Sequence, residues 1–165
     1  MRMRNKTDKR SAGIIVFRFA RRSLEILLIH PGGPFWGKKD EGSWSIPKGI
    51  YENDEEPLTA ARREFQEETG FIADGEFLEL GTFTQPSGKT ISAWALLGDF
   101  DTNKFESNTF SMEWPPKSGR MQEFSEADRA GWFEINEARR KITKGQIPII
   151  EMLVKRLIEL GLLSK

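Results

Sequence analysis

The segment from Pro57 to Gly70 constrains the fold more than any other, because it begins and ends as a single helix does. Proline has a fixed φ that suits the first turn of a helix, and glycine commonly follows the last turn. No helix-breaking residue lies between them. At about 100° per residue, Leu58, Ala61 and Phe65 fall on one side of this helix and predict a buried face.

Three carboxylates lie beside that apolar face. Glu64, Glu67 and Glu68 occupy a neighbouring arc of about 100°, at the boundary between core and solvent. A like-charge pair four residues apart costs only about 0.2–0.5 kcal/mol, so a solvated acidic face is tolerable. The same side chains on a rigid helix would also supply the oxygen ligands that Mg²⁺ prefers. The helix alone leaves both interpretations open.

The spacing of residues around the helix favours the metal site. Gly49 is followed after five residues by Glu55, and after seven more by Arg-Glu-Phe-Gln-Glu-Glu-Thr-Gly-Phe. This pattern resembles the signature sequence of the Nudix hydrolases, with Phe65 and Phe71 where that family usually has aliphatic residues. An accidental match of the seven fixed positions has a probability on the order of 10⁻⁷ per starting position.

The resemblance implies an α/β fold, an α/β/α sandwich in which a mixed central sheet lies between helices and the signature forms loop, helix and loop. It implies that Glu64, Glu67 and Glu68, with the carbonyl of Gly49, bind Mg²⁺, for which Mn²⁺ is a substitute. Glu64 is also a candidate general base, and the number of metal ions stays open. The implied reaction is hydrolysis of a phosphoanhydride in a nucleoside diphosphate linked to another group.

Two further residues of the signature are expected to support these ligands. Glu55 and Arg63 are predicted to pair and to orient the carboxylates, as residues behind metal ligands do. The alternative for Arg63 is a surface arginine that forms ion pairs along the helix. Gly70 is expected to serve the backbone geometry of the helix end.

Composition limits the classes of protein to consider. A chain of 165 residues with 25 basic and 25 acidic side chains predicts one domain with no general attraction to nucleic acid or membranes. The absence of cysteine excludes disulfides, thiolate catalysis and zinc–thiolate sites. We therefore expect a cytoplasmic enzyme with a basic flexible tail over 1–10 and a single domain over 11–165. Its oligomeric state stays open, and no nucleic-acid partner other than an RNA 5′ end is expected.

The hydrophobic pattern predicts the remaining elements. Strands are expected at Ala12–Phe19, Leu24–His30, Phe77–Gln85, Thr90–Phe100 and Ala130–Phe133, with an extended piece at Trp44–Pro47. A helix capped by Asn136 is expected to run to Lys141, and another to begin at Pro148. The residues from Asp101 to Glu126, which include Pro115-Pro116, are predicted to be a long loop.

The substrate is less constrained than the reaction. Trp44-Ser45-Ile46-Pro47-Lys48-Gly49 resembles the corresponding segment of dinucleoside polyphosphate hydrolases and mRNA-decapping Nudix enzymes. A lysine beside the acidic helix would favour additional phosphates, so a dinucleoside polyphosphate or nucleoside triphosphate is expected. The alternatives are an RNA 5′ end, ADP-ribose or a nucleotide sugar, and a nucleotide-binding module without turnover. Lys48 can also be an ordinary solvent-facing lysine.

Outside the signature, a second source of carboxylates lies just before Trp132. The resemblance favours Glu126 as an additional metal ligand or general base, with Glu123 as the alternative. Both residues can also belong to a solvated acidic loop that has no role at the site.

Phe35, Trp36 and Trp44 are candidates for contact with a nucleobase, which can contribute about 1–3 kcal/mol by stacking. For Trp44 a packing role is favoured. His30, the only histidine, is expected to pack or cap and not to catalyse.

Overall fold

The computed structural model describes residues 10–52 and 54–165. Its strands are β1 (Arg10–Ala20), β2 (Ser23–Pro31), β3 (Lys48–Ile50), β4 (Leu78–Thr84), β5 (Thr90–Leu97), β6 (Thr109–Glu113), β7 (Met121–Ser125) and β8 (Ala127–Glu134). Its α-helices are α1 (Pro57–Thr69), α2 (Ile135–Lys141) and α3 (Ile147–Glu159), with short 3₁₀ turns at Thr102–Lys104 and Lys144–Gln146.

Strand β1 lies in the middle of a six-stranded mixed sheet with the order β4-β5-β1-β2-β8, and β3 also pairs with β1. The β1–β5 pair is parallel, whereas β2 and β3 are antiparallel to β1. Every residue of β1 from 11 to 17 is buried, as expected for a strand that is covered on both faces of its sheet. The pairing of Gly49 with Ala12 places β3 beside the centre of the sheet.

Alternate residues of β1 contribute to two separate hydrophobic cores. Ile15 and Phe17 pack in the core that is closed by α2 and α3. Ile14 and Val16 point to the opposite face, where they pack in the core that contains Phe65 of α1. The predicted α/β/α sandwich with a mixed central sheet is therefore confirmed.

Helix α1 has the predicted limits. Pro57 occupies its first turn, and Gly70 follows its last residue in the left-handed conformation, with φ of 79°. The N–H of Gly70 donates to the carbonyl of Gln66 at 2.8 Å. A Cβ on Gly70 would lie 2.7 Å from the carbonyl oxygen of Glu106, so glycine is also required for the close approach of that loop.

Several predicted elements need correction. The region predicted as a long loop contains the β6–β7 hairpin, a separate two-stranded sheet. The cap of α2 is Glu134, whose side chain accepts a hydrogen bond from the N–H of Asn136, and not Asn136 itself. The last strand, β8, is longer than predicted, and the strand that enters the signature is Lys48–Ile50, after the predicted extended piece.

The predicted basic tail lies outside the described residues except for Arg10, with which β1 begins. Among the residues that the structure describes, no helix is long and apolar enough to cross a membrane.

The end of α1 provides a stability test. Gly70→Ala should lower the free energy of unfolding by about 1–3 kcal/mol, because the left-handed backbone disfavours a Cβ and Glu106 lies in its path. Denaturant unfolding followed by circular dichroism measures the change. Gly37→Ala is the matched control, since nothing lies within 4 Å of its added Cβ, and it should retain wild-type stability or gain slightly. Equal stability of both variants would contradict the role assigned to Gly70.

Candidate active site

Gly49 and Glu64 form the closest contact of the site. A Cβ on Gly49 would lie 2.0 Å from the carboxyl carbon of Glu64, so the carboxylate fills the space above the glycine backbone. Glu64 is only 8% exposed although it is charged, because α1 packs against the β1–β3 part of the sheet. The absence of a side chain at position 49 is therefore what allows a carboxylate at this depth.

Arg63 connects the carboxylates of the signature. Its Nε and Nη2 donate to the two carboxylate oxygens of Glu55 at 2.8 and 2.9 Å. Its Nη1 donates to Glu64 at 2.8 Å and to Glu67 at 3.2 Å. The guanidinium lowers the pKa of Glu55, and the bond to Glu55 in turn raises the pKa of Arg63. Arg63 thus holds three glutamates in one charged network, and its role in orienting metal ligands stays a prediction.

Glu68 lies against the strand that enters the signature. Its Oε2 accepts a hydrogen bond from the backbone N–H of Lys48 at 3.1 Å, which fixes the end of α1 to β3. Burial raises the pKa of Glu68 to about 8, although this N–H and the charge of Lys48 both act to lower it. The backbone of Lys48 therefore borders the acidic group.

Glu126 approaches the same group from outside the signature. Burial raises its pKa, and the negative charge of Glu67 raises it further. Burial also raises the pKa of Glu64. The negative charges of Glu67 and Glu126 raise this pKa further, whereas Arg63 acts to lower it. Glu123 instead accepts a hydrogen bond from the hydroxyl of Thr109 at 2.6 Å, within the hairpin. Of the two acidic candidates, the structure brings Glu126 to the α1 carboxylates.

Two backbone hydrogen bonds through Asn108, here called the strap, hold Glu126 at this position. The N–H of Asn108 donates to the carbonyl of Glu67 at 2.7 Å, and the N–H of Glu126 donates to the carbonyl of Asn108 at 2.8 Å. The hydroxyl of Ser107 contacts the carbonyl and N–H of Ala127 at 2.9 and 3.1 Å. No sequence pattern indicates these positioning residues, because their contacts lie between segments that are distant in the chain.

The donor set fits a hard divalent cation, although oxygens of Glu64, Glu67 and Glu68 are now paired within the protein. Glu64, Glu67, Glu68 and Glu126 supply carboxylates whose negative charges act on one another, and a cation would relieve that repulsion. Within residues 10–52 and 54–165, no three acidic or histidine side chains are already assembled around a common point. Arg63 occupies oxygens of Glu64 and Glu67, so these side chains must adjust to bind metal.

The aromatic candidates have different environments. Trp44 is 5% exposed and packs edge-to-face against His30 and Phe133, which is the packing role that the sequence favours for it. Phe35 and Trp36 are 58% and 40% exposed on the loop after β2. Their faces remain accessible to a ligand, apart from the contact of the Lys39 ammonium with the Trp36 ring at 4.8 Å.

His30 has the predicted packing role. Its ring is fully buried, and its nitrogens contact Asp128 at 2.9 Å and the carbonyl of Lys39 at 2.5 Å. These contacts join β2, β8 and the loop that carries Phe35. His30 therefore acts as a structural connection behind the site.

Comparison with known sequences identifies the family. The sequence pattern of the NUDIX domain matches residues 7–153, so the chain belongs to the NUDIX family. It is 35% identical over 74 residues to Nudix hydrolase 7 of Arabidopsis thaliana, an alignment that covers 45% of this chain and 24% of that protein. The chain thus aligns with about a quarter of the length of this relative.

Comparison with solved structures gives the same fold. The NUDIX domain of Shewanella oneidensis NrtR, complexed with ADP ribose, has a TM-score of 0.63 at 16% identity, covering 93% of this chain and 90% of that one. A C. elegans Ap4A hydrolase binary complex has a TM-score of 0.60 at 18% identity, covering 92% and 98%. At these identities the likeness establishes the fold alone.

The contact between Gly49 and Glu64 can be tested by metal binding. Gly49→Ala should weaken the affinity for Mn²⁺ by about 10- to 100-fold, because the added methyl group displaces the Glu64 carboxylate. Isothermal titration calorimetry measures the affinity, and circular dichroism checks the fold. Gly37→Ala, where the added Cβ contacts nothing, should bind Mn²⁺ as the wild type does. Wild-type affinity in Gly49→Ala would remove Glu64 from the metal site.

Proposed function

We propose that the protein is a divalent-metal-dependent hydrolase that cleaves a phosphoanhydride in a nucleoside diphosphate linked to another group. The observation that carries this proposal is the position of the Glu64 carboxylate against the backbone of Gly49, with Glu67, Glu68 and Glu126 near enough for the charges of these carboxylates to interact. Mutually repelling carboxylates beside the nearly buried Glu64 are costly for a structural surface, whereas a metal site uses such side chains as ligands. Nudix hydrolases generally use divalent metals, and Mg²⁺ is our choice for this chain, with Mn²⁺ as a substitute.

Each residue has a distinct role in this proposal. When bound, Mg²⁺ supplies charge neutralisation for the phosphates and activation of water. Glu64, Glu67 and Glu68, with the carbonyl of Gly49, would hold it. Arg63 and Glu55 orient the carboxylates through the bidentate pair, and the strap through Asn108 holds Glu126 opposite them.

The chemical step is a displacement at phosphorus. A bond forms between a water oxygen and phosphorus, the bond from phosphorus to the bridging oxygen breaks, and the leaving phosphate takes the electron pair. One proton of the water passes to a carboxylate, for which Glu64 and Glu126 are the candidates that border the site. The protein's contribution is placement and electrostatics, because no covalent intermediate is needed.

The substrate that we favour is a dinucleoside polyphosphate or a nucleoside triphosphate. Lys48 supports this choice, since its charge acts on Glu68 and its ammonium can bind phosphates beyond the reacting pair. The C. elegans Ap4A hydrolase supports it through a shared fold, and the NrtR domain with ADP ribose keeps ADP-ribose as a second candidate. We further propose that the unit 11–165 acts as one domain and works in the cytoplasm.

Charge-neutral replacements test the metal site. Glu67→Gln and Glu68→Gln should each lower kcat/KM by at least about 100-fold in the presence of Mg²⁺, because they remove ligand charge while preserving side-chain volume. The same variants should bind Mn²⁺ more weakly in calorimetry. Glu76→Gln, an exposed residue of the loop before β4, is the control and should match the wild type. Wild-type turnover in both α1 variants would disprove the metal-site assignment.

A panel of substrates tests the role of Lys48. Dinucleoside polyphosphates and nucleoside triphosphates should give higher kcat/KM than ADP-ribose, nucleotide sugars or 5′-triphosphorylated RNA. Lys48→Ala should lower kcat/KM for the polyphosphates by about 10-fold while changing ADP-ribose hydrolysis much less, because ADP-ribose lacks the additional phosphates. If ADP-ribose leads the wild-type ranking, the assignment of Lys48 is wrong.

A further inference from the structure

The β6–β7 hairpin is attached to the candidate active site at its base. Asn108, which precedes β6, donates to the carbonyl of Glu67, and Glu126 follows directly after β7. The N–H of Gly32 donates to the carbonyl of Glu126 at 2.9 Å, so the loop after β2 is fixed to the same point. The hairpin and this loop therefore extend together from the carboxylates.

The two faces of the hairpin differ in composition. Phe110, Met112 and Trp114 are every second residue of the chain, lie on one face and are half-buried. Phe124 pairs with Phe110 across the two strands. The other face consists of Thr109, Ser111, Glu113, Met121, Glu123 and Ser125, all of them exposed. The aromatic face is turned toward the loop after β2, because the Phe110 ring lies 3.1 Å from the position of a Cβ on Gly33.

Phe35 and Trp114 form the outer part of this aromatic face. Their ring centroids are 5.3 Å apart with an interplanar angle of 85°, so the edge of one ring meets the face of the other. Phe35 is nevertheless 58% exposed. Neither residue belongs to the two hydrophobic cores among the described residues. The Phe110 and Phe124 rings, with centroids 5.9 Å apart, contact each other within the hairpin. The Phe35–Trp114 pair thus has an aromatic surface that packing leaves open.

The pair is close enough to the carboxylates to contact one end of a bound nucleotide. Phe35 is three residues beyond Gly32, so its Cα lies within about 11 Å of the base of the hairpin. Exposed cations lie close in sequence to both members of the pair, Lys38 and Lys39 on the loop after Phe35, and Lys117 and Arg120 at the hairpin turn after Trp114. A ligand with an aromatic ring and several phosphates matches this combination of π surface and positive charge.

We propose that Trp114 and Phe35 form a nucleobase-binding site in which the base of the substrate stacks on their open faces. This inference rests on the proposed function, since it assigns a specificity site to the same substrate. It adds the β6–β7 hairpin, and Trp114 in particular, to the substrate-binding surface. Trp36 is less suited to this role, because the Lys39 ammonium lies over its ring.

Binding of ligands with and without a base tests the site. Calorimetry with Mg²⁺ would compare a methylene-bridged diadenosine tetraphosphate, which resists hydrolysis, with methylenediphosphonate, which has no base. Trp114→Ala and Phe35→Ala should each weaken the dinucleotide by about 10-fold or more and leave methylenediphosphonate unchanged. Trp114→Phe should retain most of the affinity, because it keeps a ring. Phe19→Ala, an exposed aromatic residue on β1 outside the site, is the matched control.

The outcomes separate this inference from the proposed function. Wild-type dinucleotide affinity in Phe35→Ala and Trp114→Ala would overturn it, as would an equal loss for both ligands or a failure of the wild type to bind the dinucleotide. Phe35→Ala keeps the test decisive if Trp114→Ala does not fold, since Phe35 is largely exposed. A wild-type protein that hydrolyses no member of the substrate panel would refute the proposed function while leaving the stacking result intact.

Discussion

The rest of the site depends on one interaction, the repulsion among the carboxylates of α1 around Glu64. Arg63 offsets part of this repulsion. Glu64 is nearly enclosed, and its neighbours Glu67 and Glu126 carry the same charge. Such a group is stable only if cations and hydrogen-bond donors offset the charge. In the structure, Arg63 and the N–H of Lys48 provide part of that compensation. A divalent ion, in the proposed function, provides the remainder.

The fold serves this interaction by bringing three separate segments to one edge of the sheet. Strand β1 pairs with β3 and thereby sets Gly49 beneath the Glu64 carboxylate. Helix α1 supplies its glutamates from a face that adjoins the Phe65 side of the core. The strap through Asn108 then ties the end of α1 to Glu126. Because each segment is fixed by backbone hydrogen bonds, the scaffold brings the carboxylates together, and Arg63 then pairs with Glu55, Glu64 and Glu67.

Local patterns predict the parts of the structure that local rules determine. The limits of α1 follow from Pro57 and Gly70, and the strand pairs follow from apolar runs around short turns. The β6–β7 hairpin escapes prediction because Pro115-Pro116 and the polar residues of 101–126 indicate a loop. Its one signal in the sequence is the alternation of polar and apolar residues from Thr109 to Glu113, before a turn that contains proline and glycine.

For other features, local patterns leave alternatives open, and contacts between distant segments decide among them. The burial of Trp44 results from its packing against His30 and Phe133, which lie on different strands. Similarly, the proximity of Glu126 to α1 depends on backbone bonds through Asn108, and the sequence offers Glu123 as a near equivalent. Composition and spacing identify which residue types are available at such a site. The tertiary contacts decide which of them reach it.

A crystal structure with Mg²⁺ and a hydrolysis-resistant dinucleoside polyphosphate would test the metal site most directly. We expect ion density within about 2.0–2.1 Å of carboxylate oxygens from α1, with Arg63 withdrawn from at least one of the oxygens that it now contacts. The phosphates should lie between this density and Lys48. A fully occupied ligand with no ion near Glu64, Glu67 or Glu68, and with every Arg63 bond unchanged, would contradict metal binding by these carboxylates.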